Sequence, residues 1–185
     1  MTTSALHLMA DYNQWMNTRL YECAQTLPPE AVVLDRGAFF GSILGTLNHL
    51  VVADILWLQR FARHPALQAQ MALGHLPGLD AVSQWPTPQA LDEPVCADLP
   101  ILWQRRQWLD QTIVDTVHAL TDADLDHPLD YFNMKKLPQR KSMFSLMLHF
   151  FNHQTHHRGQ ATTLLTQAGV DVGTTDLVAR IDSVG

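Results

Sequence analysis

The sequence predicts an all-α fold, a four-helix bundle with one long crossover connection. Four long segments carry apolar side chains at helical spacing, and proline and glycine separate them. A proline-rich stretch, residues 65–100, lies between the second and third segments. No set of segments has the strand pattern that would predict a larger sheet. Helices with apolar stripes bury them against one another, and a bundle is the simplest architecture that does so.

The first predicted helix covers residues 4–26 and ends at Pro28, because proline cannot donate the backbone hydrogen bond that a helix needs. After a loop at residues 37–41, the second covers residues 42–64 and is apolar on most sides, which is typical of a central helix. Asp54 is a charged residue in this apolar helix. We expect it to cap a helix or to pair with a cation such as Arg19.

The repeated prolines of residues 65–100 predict a long crossover with one or two short helical turns. Helical periodicity resumes over residues 99–120, the third predicted helix, with Asp98 as a candidate N-cap. The polar stretch that follows contains a candidate hairpin at residues 129–137.

The fourth predicted helix covers residues 142–168. It begins at Ser142, a good N-cap, and ends before Gly169, which can adopt the left-handed conformation that closes a helix. A tail runs from there to residue 185. Residues 149–160 of this helix, HFFNHQTHHRGQ, hold four of the ten histidines.

Two of these four histidines point inwards together. With His149 at zero on a helical wheel, His153 lies at about 40° and His157 at about 80°, within or beside the apolar arc, whereas His156 lies near −20°. Histidines four residues apart lie one above the other on a helix, close enough to share one cation. In the second helix, His49 lies on the same face as the apolar residues Leu50, Ala53 and Trp57, so its imidazole should face the other helices. It is therefore the natural third ligand.

Three imidazoles leave at least one coordination position open, which is typical of a catalytic or ligand-binding metal. The alternative is three core histidines that are hydrogen-bonded and hold no metal. Imidazole suits zinc, nickel, iron and copper, and we expect zinc or nickel.

The composition excludes several classes of partner. The formal net charge is −6 with 12 Lys and Arg and no basic run, which argues against nucleic acid and an anionic membrane. Two isolated cysteines fit a reducing cytoplasm, and neither a signal peptide nor a run of apolar residues long enough to span a membrane is evident. We therefore expect one soluble cytoplasmic domain over residues 1–185.

Several stretches resemble the DinB/YfiT-like family of small bacterial metal-binding four-helix bundles. They are ADYNQWMNTRLY, GSILGTLNHLVVADILWLQRF, NHQTHHRGQATTLLTQAG and TDLVARID, of which the histidine blocks are the most specific. The resemblance implies a divalent metal site formed by His49, His153 and His157, the same three residues that the wheels select. It also implies a homodimer.

The DinB/YfiT-like family includes transferases and isomerases that use low-molecular-weight thiols. The resemblance implies that the metal of such an enzyme binds and activates the thiol. We therefore expect a metal-dependent enzyme acting with such a thiol on a small electrophilic substrate. A metal-dependent hydrolase and a non-catalytic protein that binds a metal or a stress ligand are the alternatives. No catalytic residue and no organic cofactor are assigned. His149, His156, Arg158 and Gln160 have no assigned role in the site.

Overall fold

The computed structural model describes residues 2–183, and most of them are helical. The long helices are α1 (Thr2–Gln25), α3 (Ile43–Phe61), α6 (Leu99–His118) and α8 (Met143–Gln167). The short ones are α2 (Pro29–Val33), α4 (Pro65–Ala72), α5 (Pro77–Ser83), α7 (Asp122–Asp126) and a 3-10 helix at Leu177–Arg180. The predicted helical bundle is confirmed.

Two strands interrupt the helical fold. β1 (Pro128–Phe132) and β2 (Pro138–Ser142) pair antiparallel, in a register from Pro128 opposite Ser142 to Phe132 opposite Pro138. The hairpin predicted at residues 129–137 is therefore present, but it is longer and starts and ends outside that range.

The four long helices form a closed arrangement. α1 packs against α6 and α8, and α3 packs against the same two helices. Sixteen of the 19 residues of α3 are buried, as its apolar composition predicts for a central helix. Within residues 2–183, none of the helices combines the length and the hydropathy that a membrane span requires.

Side-chain caps define where the long helices begin. The Ser42 hydroxyl accepts a hydrogen bond from the Gly45 amide at 3.0 Å, and the Asp98 carboxylate accepts one from Ile101 at 2.9 Å. Ser142 caps α8 in the same way. Gly169 closes α8 with a φ of +85°, in the left-handed region that favours glycine. The caps predicted at Asp98 and Ser142 are confirmed.

The long crossover is tied to α3 by two amide side chains. Gln59 donates to the carbonyls of Val82 at 3.2 Å and Trp85 at 2.8 Å. Asn48 donates to the Cys96 carbonyl and accepts from the Cys96 amide, both at 2.9 Å. These bonds hold the crossover against α3 at two points, Asn48 next to His49 and Gln59 near the end of the helix.

Asp54 pairs with a cation as predicted, but the cation is Arg106 and not Arg19. Asp54 is fully buried and accepts hydrogen bonds from Arg106 on α6 and Gln154 on α8. Arg19 instead donates to the Val172 carbonyl at 2.7 Å. The physical reason is the direction of the side chains, since Asp54 faces the centre of the bundle, whereas Arg19 lies at the edge of α1 against the C-terminal tail.

Asp54 belongs to a set of buried polar side chains that we call the polar layer. All four long helices contribute to it, with Asn13, Asn17, Asp54, Arg106, Asp110, Gln154 and Arg158. Arg106 pairs with Asp110 at 3.0 Å, Asp110 accepts from Asn17 at 2.8 Å, and Arg158 donates to Asn13. Two guanidinium groups balance two carboxylates, so that the layer has no formal net charge.

Candidate metal centre

The structure brings His49 of α3 together with His153 and His157 of α8. Each offers one ring nitrogen, and these three nitrogens lie within 4.8 Å of one another. The ring centroids of His157 lie 4.3 Å from those of both His49 and His153. All three residues that the sequence predicts as ligands therefore form one cluster.

The histidine on α3 is more deeply buried than the two on α8. His49 is only 2% exposed, whereas His153 and His157 are half-buried. His153 and His157 lie one turn apart on α8 and therefore project from the same face towards α3. The cluster is thus anchored in the core by His49 and open towards solvent at the α8 histidines.

Two of the rings are oriented by hydrogen bonds at Nδ1. His49 Nδ1 lies 2.8 Å from the carbonyl oxygen of Leu91 in the crossover. A carbonyl oxygen can only accept, so the proton of neutral His49 is on Nδ1 and Nε2 keeps its lone pair. His157 Nδ1 lies 2.8 Å from the side-chain oxygen of Gln160, which has the same effect. Such bonds to the distal nitrogen are the usual support of a metal-binding histidine.

The cluster contains a buried nitrogen without a partner among residues 2–183. Within the described part of the chain, Nε2 of His49 is buried and has no hydrogen-bond partner. Leaving such an atom unpaired costs free energy, on the order of 1–3 kcal/mol for a polar group. Coordination of a divalent cation by the three imidazoles would satisfy it, because imidazole nitrogen is a preferred ligand of zinc and nickel.

The environment keeps these imidazoles neutral. Burial, together with a smaller effect of the neighbouring histidines, lowers the pKa of His49 to about 4 and that of His153 to about 3. Burial also lowers the pKa of His157, although the hydrogen bond that its Nδ1–H donates to Gln160 acts in the opposite direction. At neutral pH the three rings are therefore in the unprotonated form that coordinates metals.

Three contacts of the cluster were not predicted from the sequence. The ring of Phe40, in the loop before α3, stacks on His49 with 3.9 Å between centroids and a 16° angle. Leu91 contributes only its backbone carbonyl, which leaves no signal in a side-chain pattern. The contact of Gln160 could have been predicted, because Gln160 lies three residues after His157 and therefore next to it on the same face of α8.

The other two histidines of α8 do not belong to the cluster, although the His156 ring contacts that of His157 with 4.8 Å between centroids. His149 and His156 are both exposed. The His149 ring contacts Trp57, at 5.1 Å between centroids. Arg158 is 2% exposed and points away from the ligands into the polar layer, as an interhelical contact.

Comparisons with known proteins identify the family and the fold of the chain. The sequence model of the DinB family matches residues 1–184. The chain is similar to Protein DinB of Bacillus subtilis (strain 168), with 25% identity over 166 residues, 90% of this chain and 87% of that protein. It also resembles the crystal structure of a DinB-like protein from Bacillus cereus ATCC 10987, with a TM-score of 0.53, 21% identity and coverage of 86% of this chain and 89% of that chain. The structural likeness shows a shared fold.

Proposed function

Because this chain belongs to the DinB family, we propose that it is a metal-dependent enzyme whose divalent ion is held by His49, His153 and His157. The observation that carries the proposal is the convergence of three imidazole nitrogens within 4.8 Å. The orientation of two of the rings through Nδ1 supports it. Three independent core histidines would instead each need separate hydrogen-bond partners, and His49 Nε2 has none within residues 2–183.

The number of ligands favours chemistry over a purely structural role. Structural zinc sites are usually closed by four protein ligands, often cysteines, whereas catalytic sites keep a position for a water or a substrate. The half-buried His153 and His157 leave the solvent side of the cluster accessible. Zinc and nickel are the ions that we propose.

A divalent ion bound there supplies a Lewis acid that lowers the pKa of a coordinated thiol or water. The reaction that we propose is attack by the sulfur of a low-molecular-weight thiol on an electrophilic carbon of a small substrate, which forms a C–S bond, expels a leaving group such as a halide and releases the thiol proton to solvent. The Leu91 carbonyl and Gln160 orient the ligand rings, and Phe40 shields one face of His49 from water.

Elemental metal analysis tests the metal centre before any substrate is chosen. We expect untagged wild-type protein to contain a near-stoichiometric amount of zinc or nickel, and the variants His49→Ala and His153→Ala to lose it. His156→Ala is the matched control, because it removes an exposed histidine from the same helix, and it should retain the metal. A wild type without metal, whose refolding is unaffected by added zinc or nickel, would contradict the proposal.

The thiol reaction needs its own assay. Metal-loaded protein is mixed with cysteine or glutathione and a chromogenic aryl halide, and formation of the thioether is followed by absorbance. We expect turnover that is lost in His157→Ala and kept in His156→Ala. Full metal binding without turnover for any thiol would instead support the non-catalytic alternative.

A further inference from the structure

A cavity of about 610 Å³ lies apart from the histidine cluster. Its walls come from the C-terminal end of α3, from α4, from α5 with the loop after it, and from the end of β1 with the turn that follows. None of the residues that line it belongs to the three-histidine cluster. Its volume is within the range of roughly 300–1,000 Å³ that is usual for small-molecule sites.

The cavity is positively charged in a protein that is negatively charged as a whole. Arg60, Arg63 and Lys136 line it together with one carboxylate, Asp80, although the formal net charge of the chain is −6. Among residues 2–183, no carboxylate oxygen lies within 4.0 Å of any of the three cations. Their charges are therefore available to a ligand.

Aromatic rings hold the two arginines in place. The Arg60 guanidinium lies 4.6 Å from the centroid of Trp57 and 5.4 Å from that of Tyr131. Arg63 lies 5.9 Å from the ring centroid of Phe132. A contact with a ring face orients a guanidinium group and leaves its in-plane N–H donors free to bind a carboxylate or a phosphate.

Lys136 occupies a backbone conformation that is unfavourable for lysine. Its φ is +57°, and within residues 2–183 it is the one non-glycine residue with a positive φ. The turn is maintained by Asn133, whose side-chain oxygen accepts from the amides of Lys135 at 2.9 Å and Leu137 at 3.0 Å. Asparagine or glycine would relieve this strain, and such strain is often found at functional sites.

The opposite wall is also fixed. Gln59 donates to the Val82 and Trp85 carbonyls, and its oxygen accepts from the Thr87 hydroxyl at 2.9 Å. The loop after α5 is therefore held in place by α3. Apolar surface is available beside the cations, since Phe132 is 53% exposed and Met134 is 41% exposed.

We propose that this cavity is a second binding site, for a small organic anion. Its carboxylate or phosphate group pairs with Arg60, Arg63 and Lys136, and its apolar part contacts Phe132 and Met134. The site goes beyond the proposed metal chemistry and does not depend on it, since the two sets of residues are separate.

Isothermal titration calorimetry on the full-length protein tests the proposal, with phenyl phosphate and benzoate as probes and benzyl alcohol as their uncharged analogue. We expect saturable binding of at least one anion, and the stronger of the two identifies the acidic group. The affinity for benzyl alcohol should be at least about tenfold lower, because this molecule lacks the charge that the arginines and the lysine recognise.

Two variants and a matched control locate the binding. Lys136→Asn removes the charge but tolerates positive φ, and Arg63→Gln keeps a polar side chain; each should weaken anion binding about tenfold. Lys135→Asn makes the same charge change on the neighbouring residue, which does not line the cavity, and should change the affinity less than about twofold. His153→Ala should leave anion binding intact, because the ligand does not bind at the metal centre.

Three results would overturn the proposal. The first is the absence of saturable binding of either anion to the wild type. The second is equal weakening by Lys135→Asn and Lys136→Asn, which would indicate a non-specific effect of charge. The third is loss of binding in His153→Ala together with unchanged binding in Lys136→Asn, which would assign the anion to the metal centre.

Discussion

At His49, the two ring nitrogens have different environments. Nδ1 faces the Leu91 carbonyl at 2.8 Å, whereas buried Nε2 has no hydrogen-bond partner in the described residues. The backbone of the crossover therefore selects which nitrogen is available to a cation. His157 has the equivalent hydrogen bond to a side chain, that of Gln160. A side-chain acceptor can be removed by substitution, whereas the Leu91 carbonyl cannot.

Gln160→Ala tests this support. Removing the side-chain oxygen frees the His157 ring to rotate and to change tautomer, and we expect metal affinity to fall about 10- to 100-fold. Competition with a chromogenic chelator measures the change. Gln167→Ala makes the same substitution at an exposed position of α8 and should leave the affinity unchanged. Equal affinities of Gln160→Ala and the wild type would show that the contact does not support the ligand.

Helix α8 contributes to two sites at once. His153 and His157 form one pair four residues apart, and Gln154 and Arg158 form another, about 100° further round the helix. The first pair faces the cluster with His49, and the second enters the polar layer. Arg106 on α6 joins this layer by pairing with both Asp54 and Asp110.

Arg106→Met should destabilise the bundle strongly. It leaves two buried carboxylates without their cation, and breaking a buried ion pair in this way costs about 3–5 kcal/mol. Urea unfolding followed by circular dichroism gives the free energy of unfolding. Arg105→Met is the matched control on the same helix, where the arginine is half-buried over Trp85, and it should cost less than about 1 kcal/mol. Similar losses in both variants would contradict a special role for the polar layer.

At the scale of the whole molecule, the free energy of unfolding depends on the protonation of groups from several helices. The pKa of His49 is about 4 and that of His153 about 3 in the folded protein, against roughly 6.5 for an unperturbed histidine. Between those values the unfolded chain binds protons that the folded chain does not. The contribution of these two histidines to the free energy of unfolding is complete above about pH 6.5, and it is lost as the pH falls to about 4 for His49 and about 3 for His153. Burial of Asp110 raises its pKa to about 7 and acts in the opposite direction over much of this range.

A comparison of variants isolates the histidine contribution. Between pH 7 and pH 5, we expect the free energy of unfolding of the chelator-treated wild type to fall more steeply than that of His153→Ala, because the variant lacks one of the groups that must be protonated on unfolding. Urea titrations at several pH values measure both slopes. His156→Ala, which lacks an exposed histidine, should follow the wild type. Identical slopes for the wild type and His153→Ala would contradict the depressed pKa of His153.

The sequence by itself determined the four long helices, two of their caps and the three histidines of the cluster. These depend on local periodicity and on chemistry that a single helix displays, so that a helical wheel can find them. It did not determine that Asp54 pairs with Arg106, that Phe40 stacks on His49, or that the Leu91 carbonyl orients the same ring. Those contacts join residues far apart in the chain, and in one case use only the backbone. They were decided by the way the helices pack and by the path of the crossover, which no local pattern records.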